Sequence, residues 1–497
     1  MTKKYVEGDS HSTKRVSMRR NPPVRMLRES PRPEVVTKRC LLVSLAVVVL
    51  AFFISNPELP ESRLAPCLSL GVCVGILGTL VSTRKLFHLP IFILTTITWI
   101  YFCAPFLYDW LPRSDPRRIL PYEHLWKLSL LSSASIGVLA LGYYSFITAI
   151  RPIFPARKKL NSAALQRLSM IFCISGTAFF VIKTVAPELV AAIGRIIGIF
   201  ENLTIFGVIF ALLLYFRRIL SPEVALVAFF SFLVQAFVIV SNTLFARLAY
   251  YLGALVVVVF VKGRRIPWLP IVVVVAISIP LFGSRMSHRF GNTLELAEPS
   301  SSVSDRIDRG IQMAIYDYSN WKWSETGNVL GETFSGRLEN VSFLSHCVAL
   351  HEAGKPFKHG ETMVGVFTAL IPRLLWPDKP VQNHGNVLSA EYGFKDDGAT
   401  VSINFPWLAD LYINFGYVGM VLGSFLLGAF FRWACALSAY GSGDMNLLVF
   451  CDLLWWFLSN ENNVSMVVGG ILQVLVIWWG VRSLWGAALV GPGRVAR

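Results

Sequence analysis

The sequence predicts an all-α fold, a polytopic transmembrane bundle of about twelve spans with one large loop that contains short helices. Only 15% of the 497 residues are charged and 54% are hydrophobic, whereas a soluble domain carries roughly 25% charge. The mean hydropathy is +0.56. Apolar runs of about 17–22 residues, long enough to cross a bilayer, recur along the chain. These observations exclude a purely soluble protein and the disordered, collagen-like and disulfide-rich classes.

The first segment, 1–39, contains 11 Lys and Arg and few large apolar residues. We therefore predict a disordered basic tail on the cytoplasmic side. The whole chain has 46 Lys and Arg against 30 Asp and Glu, a net charge of +16. In a membrane protein such an excess indicates topology and contact with anionic lipid, so we predict membrane lipid and no nucleic acid among its partners.

Nine predicted spans follow within 40–283 and three more within 406–486, which leaves 487–497 as a C-terminal tail. Short connections that are predicted to lie inside are basic, as at Arg84–Lys85 and Arg217–Arg218. The positive-inside rule then places both termini in the cytoplasm. The predicted runs are approximately 40–55, 64–82, 88–108, 129–150, 168–184, 202–216, 222–240, 245–261, 268–283, 407–431, 446–459 and 464–481.

A large segment, 284–405, separates the ninth and tenth spans and is predicted to be periplasmic. It contains 11 Lys and Arg, 14 Asp and Glu, and five of the eight histidines. Loops of this length are uncommon and usually functional. We predict two helices within it, 335–352 and 361–371, the second stopped by Pro372. The second is too short to span a bilayer, so it is expected to lie in the interface or to re-enter the outer leaflet.

Candidate chemistry depends on polar groups at the predicted outer face, because the chain has no P-loop, dinucleotide fingerprint, HExxH or GxSxG motif. No cofactor and no metal site is predicted. Arginine binds phosphate oxygens bidentately, so arginines collected there suit an anionic lipid head group. The alternative is that they snorkel to lipid phosphates or solvate the loop. The cations concerned are Arg247, Arg285, Arg289, Arg306, Arg309, Arg337, Arg373 and Lys379.

Two acidic residues lie within predicted spans, where an ionisable group needs a partner or a cavity. Asp410 is placed at a depth similar to that of Arg247, and the two are expected to pair. Asp452 lies in the middle of the eleventh run. Structural pairing with a neighbouring helix and a functional role both remain open for these acids.

The string Ile371–Pro380, IPRLLWPDKP, has three prolines that stiffen the backbone around Arg373. It follows Gly360–Glu361 and precedes Leu411–Gly419, LYINFGYVG, at the start of the tenth span. Over 335–430 this pattern resembles the Wzy-type O-antigen and exopolysaccharide repeat-unit polymerases. Elsewhere the similarity is one of topology, many helices with one large late periplasmic loop.

The resemblance implies a metal-independent membrane glycosyltransferase. Such enzymes transfer a growing glycan from undecaprenyl diphosphate to a hydroxyl of another lipid-linked repeat unit, outside the inner membrane. Catalysis needs cations for the departing diphosphate and a base for the acceptor proton. The implied partners are the lipid-linked oligosaccharide donor and acceptor, with a chain-length regulator and a flippase.

Three sets of residues fit these roles. Arg337, Arg373, Arg247 and Arg285 are the candidates for binding diphosphate. His384, Glu361 and Asp410 are the candidate bases, with a solvated loop histidine as the alternative for His384. Trp376, Tyr392 and Trp407 are the candidates for stacking on sugar rings, with an interfacial aromatic belt as the alternative.

Other functions remain open at this point. An O-antigen ligase uses the same lipid-linked donor. A transferase that uses a lipid monophosphate sugar often has paired acids in its first outer loop, and here Glu58 and Glu61 match that pattern only weakly. A transporter or flippase of lipid-linked sugar predicts discontinuous helices near the midplane and two-fold pseudosymmetry. One long loop on a single side argues against the transporter.

Overall fold

The computed structural model describes residues 33–54, 60–83, 85–107, 122–146, 150–155, 159–185, 197–241, 245–262, 312, 319, 340–371, 376, 384–394, 405–459 and 461–490. Across these ranges the regular structure is helical and includes no strand. The predicted all-α class is therefore confirmed for the part of the chain that is described.

Eight helices precede the large loop, three lie within it and three follow it in the described ranges. The first eight are α1 Pro33–Ile54, α2 Pro60–Thr83, α3 Leu89–Phe102, α4 Tyr122–Ser145, α5 Ser162–Val185, α6 Ile197–Phe216, α7 Pro222–Ser241 and α8 Phe245–Val261. The others are α9 Asn340–Glu352, α10 Gly365–Ala369, α11 His384–Glu391, α12 Trp407–Leu437, α13 Asp444–Leu458 and α14 Val464–Val490. Eleven of the twelve predicted runs coincide with a helix, and 268–283 lies outside the described residues.

Six of these helices are long and apolar enough to cross a membrane, which is consistent with a multi-pass membrane protein. They are Arg63–Thr83, Leu86–Phe106, His124–Ser145, Ser162–Phe180, Trp407–Leu437 and Val464–Ser483. Four more apolar helices are shorter: Leu42–Phe53, Asn202–Phe216, Pro222–Ala236 and Tyr250–Val261.

Glycines let two pairs of helices pack with their backbones in contact. A Cβ at Gly142 of α4 would collide with the carbonyl of Phe425 in α12, and one at Gly428 would collide with the carbonyl of Leu139. In the second pair, Ser169 of α5 donates a hydrogen bond to the carbonyl oxygen of Gly207 in α6 (2.8 Å). Small residues serve this purpose in membrane helices, where packing rather than hydrophobic exclusion drives association.

Helix α12 is broken near its start. Phe415 (φ −138°, ψ 16°) and Gly416 (φ 63°, ψ −154°) leave the helical conformation. After this break the chain folds back, so that Leu411 packs on Gly423 and its carbonyl oxygen lies 2.6 Å from where a Cβ of Gly419 would be. The second section, 417–437, is still about 30 Å long at 1.5 Å per residue, enough to span a bilayer.

Contacts between the connections define two ends of the bundle. At one end Ile153 donates its backbone N–H to the carbonyl of Leu437 (2.8 Å), and Arg217 pairs with Asp444 (2.6 Å). We refer to residues 85–88, 143–146, 150–155, 159–160, 215–222, 432–446 and 482 as the basic end. The opposite end, termed the loop end, comprises 340–371, 384–394, 405–416 and 461–468. There Tyr101 donates to Glu461 (3.1 Å).

Candidate functional site at the loop end

The break in α12 exposes backbone carbonyls that the large loop then occupies. The backbone N–H of Lys358 donates to the carbonyl of Ile413 (2.8 Å), and that of His359 donates to the carbonyl of Asn414 (3.1 Å). The Asn414 side-chain oxygen accepts from the backbone of Gly360 (2.8 Å). Carbonyls at a helix end need such partners when they are not solvated. The break and the loop therefore depend on each other.

A buried carboxylate joins this loop to the start of α14. Asp410, whose side chain is fully buried, accepts from the Thr362 hydroxyl (2.6 Å), the Asn414 amide (3.2 Å) and the backbone N–H of Val464 (2.9 Å). Val464 is the first residue of α14, where the helix dipole favours a negative charge. In this arrangement both Asp410 oxygens accept hydrogen bonds from the protein, and the side chain acts as a structural junction.

The segment that follows descends along α14. It begins with a 3-10 turn, Glu361–Val364, and continues as α10. Ala369 contacts Gly469, and its carbonyl accepts a hydrogen bond from Gln473. Gln473 lies nine residues beyond Val464, about 13 Å along the helix axis. Phe367 is 77% exposed on the outer side of the segment. The segment 361–369 therefore packs along the first half of α14.

An apolar groove lies beside this segment and has a volume of roughly 470 Å³. Its walls are α12 and the first turns of α14, and Met363 also lines it. Val418, Leu422 and Leu426 are 60–67% exposed along it, so the groove is open to the surroundings of the bundle. It is lined by Met363, Leu411, Phe415, Val418, Gly419, Leu422, Gly423, Leu426, Leu427, Phe430, Val464 and Val468. An apolar chain, rather than a sugar or a nucleotide, suits such walls.

Four charged side chains, Lys355, Lys358, Glu361 and Glu391, form a cluster at the loop end. Lys358 lies 2.9 Å from Glu391 and 3.6 Å from Glu361, and Lys355 lies 3.7 Å from Glu391. Burial alone would lower the pKa of Lys358, but Glu391 and Glu361 raise it above its ordinary value. Glu361, with 73% of its side chain exposed, is available to a ligand.

His351, which the sequence marks only as one of five loop histidines, lies at the centre of a buried aromatic cluster. Its Nδ1 is 2.8 Å from the carbonyl oxygen of Lys355, so Nδ1 carries the proton and donates. Nε2 then accepts from the Tyr392 hydroxyl (3.0 Å), while the ring stacks on Phe357 at 4.5 Å. Burial lowers the pKa of His351. Its position on the apolar stripe with Leu344 and Val348 is the signal that could have found it.

The structure brings some of the predicted site residues together. Glu361 and Asp410 lie on either side of Thr362 at the loop end. Tyr392 and Trp407 are each 1% exposed, so their rings pack against protein and offer no face to a sugar, whereas Trp376 is 38% exposed. His384 begins α11, and its side chain is outside the description. Arg285, Arg337 and Arg373 also lie outside the described residues.

The expected pair between Arg247 and Asp410 does not form. Arg247 belongs to α8, which packs on α13, whereas Asp410 is satisfied by Thr362, Asn414 and Val464. The sequence indicates similar depths but not which helices are neighbours, and that is why the pairing was wrong.

Asp452 is held structurally. It accepts hydrogen bonds from the Asn202 amide of α6 and the Trp478 indole of α14, both at 2.9 Å. Of the two alternatives that the sequence leaves open, these contacts favour pairing with neighbouring helices. Within the described ranges no three His, Cys, Asp or Glu side chains are grouped as metal ligands.

The described part of the chain is thus a helical protein with several helices apolar enough to span a membrane, a broken helix, and a short helical segment that packs along α14. Residues 127–483 match DUF8712, a domain of unknown function, and the chain belongs to this family. The match includes the broken helix, the large loop and most of α14, up to residue 483. No curated protein and no solved structure matches the chain.

Proposed function

We propose that the protein is a membrane glycosyltransferase that polymerises undecaprenyl-diphosphate-linked oligosaccharide repeat units at the periplasmic face of the inner membrane. The observation that supports this most is the apolar groove, which meets the loop end at Met363, two residues after the exposed Glu361. A substrate with a long apolar chain and a polar head would bind with its chain in the apolar groove and its head beside the charged side chains of the loop end.

In this proposal the chain has about twelve spans, both termini are cytoplasmic, and 284–405 faces the periplasm. The acceptor hydroxyl oxygen attacks the anomeric carbon of the donor glycan. The bond from that carbon to the lipid diphosphate breaks, and the diphosphate leaves with the electron pair. Arg337, Arg373 and Arg285 are proposed to stabilise the diphosphate, and Glu361 or His384 to take the acceptor proton. The product serves O-antigen or exopolysaccharide biosynthesis, with a flippase upstream and a chain-length regulator as partners.

The first experiment deletes the gene and examines surface polysaccharide by gel electrophoresis. Single-repeat products support the polymerase. Full-length chains that remain on the lipid carrier would instead identify a ligase, and loss of lipid-linked units from the periplasmic leaflet would identify a flippase.

The second experiment fills the groove. Val418→Trp is expected to shorten the polysaccharide, because the indole would occupy the space of the lipid chain. Leu141→Trp is the matched control: it is also an exposed apolar residue, 57% exposed, but lies on α4 away from the groove. Normal chain lengths in Val418→Trp at equal protein levels would contradict the proposed binding mode.

A further inference from the structure

At the basic end, the guanidinium of Arg432 is enclosed by aromatic rings. Its Cζ lies 3.9 Å from the centre of the Phe87 ring, 5.2 Å from that of Tyr440 and 5.8 Å from that of Tyr143. The Tyr143 hydroxyl donates to the carbonyl of Phe87 (2.7 Å), which fixes two of the rings relative to each other. The enclosure therefore holds the guanidinium in one position.

The charge of Arg432 is not neutralised by a neighbouring acid. Its Nε donates to the carbonyl oxygen of Phe146 (3.3 Å), but its Nη1 is buried without a hydrogen-bond partner among the described residues. The Tyr440 hydroxyl is likewise buried without a partner. Within the same described ranges Arg432 forms no ion pair, in contrast to Arg217, which binds Asp444 at this end. Rings alone compensate only part of the cost of burying a guanidinium.

A second cation and two polar rings lie beside the enclosure. Lys85, which is exposed, precedes the turn Leu86–His88 that carries Phe87. Lys85 lies two residues before Phe87, whose ring contacts the Arg432 guanidinium (3.9 Å). The Tyr144 hydroxyl lies 2.9 Å from His88 Nδ1. Tyrosines and basic side chains at a helix end are typical of the level of lipid head groups.

We infer that Lys85 and Arg432 form a binding site for the phosphate of an anionic phospholipid in the leaflet at the basic end. The phosphate oxygens would supply the anion that the described protein does not, and Phe87 would face the acyl chains. The site is separate from the groove and does not depend on the proposed glycosyltransferase activity.

The test uses the full chain, purified in a neutral detergent and titrated with phosphatidylglycerol, phosphatidylcholine or inorganic phosphate. The readouts are the thermal unfolding midpoint and the number of bound lipids by native mass spectrometry. Phosphatidylglycerol is expected to bind and raise the midpoint, and the other two are not. Lys85→Gln should weaken the phosphatidylglycerol response about tenfold, since one charge-assisted hydrogen bond is worth that much. Arg432→Gln should weaken it further.

Arg151→Gln is the matched control, because Arg151 is an exposed arginine at the same end and its substitution should leave the response unchanged. Lys85 contributes no buried contact, so Lys85→Gln tests the site even where Arg432→Gln does not fold. An unaltered response in Lys85→Gln would overturn the inference, as would equal binding of phosphatidylcholine. A response to inorganic phosphate alone would assign the site to a free anion and also reject the lipid.

Discussion

Each end of the bundle contains a buried aspartate, and the two aspartates accept hydrogen bonds from different kinds of donor. Asp444, at the basic end, accepts two hydrogen bonds from Arg217 (2.6 and 2.7 Å) and one from the backbone of Leu160 (2.7 Å). Asp410, at the loop end, accepts only from neutral groups. The opposite charges of Arg217 and Asp444 add a Coulombic attraction that the neutral donors of Asp410 do not supply.

The difference indicates that the two ends have different tolerance for movement. At the basic end the ion pair joins α6, α13 and the connection before α5 in one bidentate contact. At the loop end the carboxylate holds the segment 361–371 through a single hydroxyl and α14 through one N–H. The segment 361–371 is therefore expected to open at a lower free energy than the basic end.

The largest expected effect is the loss of the ion pair. Arg217→Gln leaves Asp444, whose side chain is only 2% exposed, without its cation. Breaking a buried pair in this way costs about 3–5 kcal/mol. The measurement is the free energy of unfolding in detergent micelles. Arg218→Gln is the matched control, because Arg218 is the next residue and is exposed. If Arg217→Gln lowered the free energy of unfolding by less than about 1 kcal/mol, the pair would be as weak as a surface salt bridge.

A smaller, local effect is expected at the other end. Thr362→Val removes the hydroxyl that donates to Asp410 and accepts from Asn414 (2.6 Å each). An unsatisfied buried polar group costs about 1–3 kcal/mol. Hydrogen exchange should therefore accelerate over 357–371 while 153–160 keeps its protection.

The control for that experiment is Thr79→Val, since the Thr79 hydroxyl bonds only the carbonyl of Gly75 within its own helix (2.8 Å). Exchange that accelerated equally at both ends would show that loss of the Thr362–Asp410 contact destabilises the whole bundle. The two aspartates would then not differ in the local stability of their ends.

The sequence predicted the helices well because hydropathy reports a local property. The run 222–240 became α7, Pro222–Ser241, and 245–261 became α8, Phe245–Val261. The short helical segment within 361–371 was also predicted, since its apolar stretch is short and is followed by a proline. These features depend on residues close together in the chain.

The break in α12 was not predicted, although Gly416 marked the position. The run 407–431 is apolar apart from Asp410, Asn414 and Ser424, so hydropathy alone indicates one continuous helix. What makes the break stable is distant in sequence: the backbone of 358–360, which takes up the carbonyls freed at Ile413 and Asn414. The partners of Asp410 were missed for the same reason. Helix neighbours depend on packing that no single segment specifies.

The smallest expected effect is a dependence of local stability on pH. It should appear at the loop end and not at the basic end, which sharpens the contrast between them. The folded pKa of His351 lies below the ordinary value of 6.5, so folding favours the neutral ring. Its contribution to stability is complete above pH 6.5 and is lost as the pH falls from there towards the folded pKa. Lys355 lies beside the ring and also disfavours its protonation, whereas Glu391 favours it.

The measurement is the protection of 351–361 against proteolysis between about pH 8 and pH 5, where histidine changes charge. The comparison variant is His351→Gln, which keeps a hydrogen-bonding side chain and isolates the contribution of His351. We expect protection to decrease with falling pH in the native chain and to respond less in the variant. If both responded equally, the pH response would not come from His351, and the buried His351–Tyr392 contact would have no part in it.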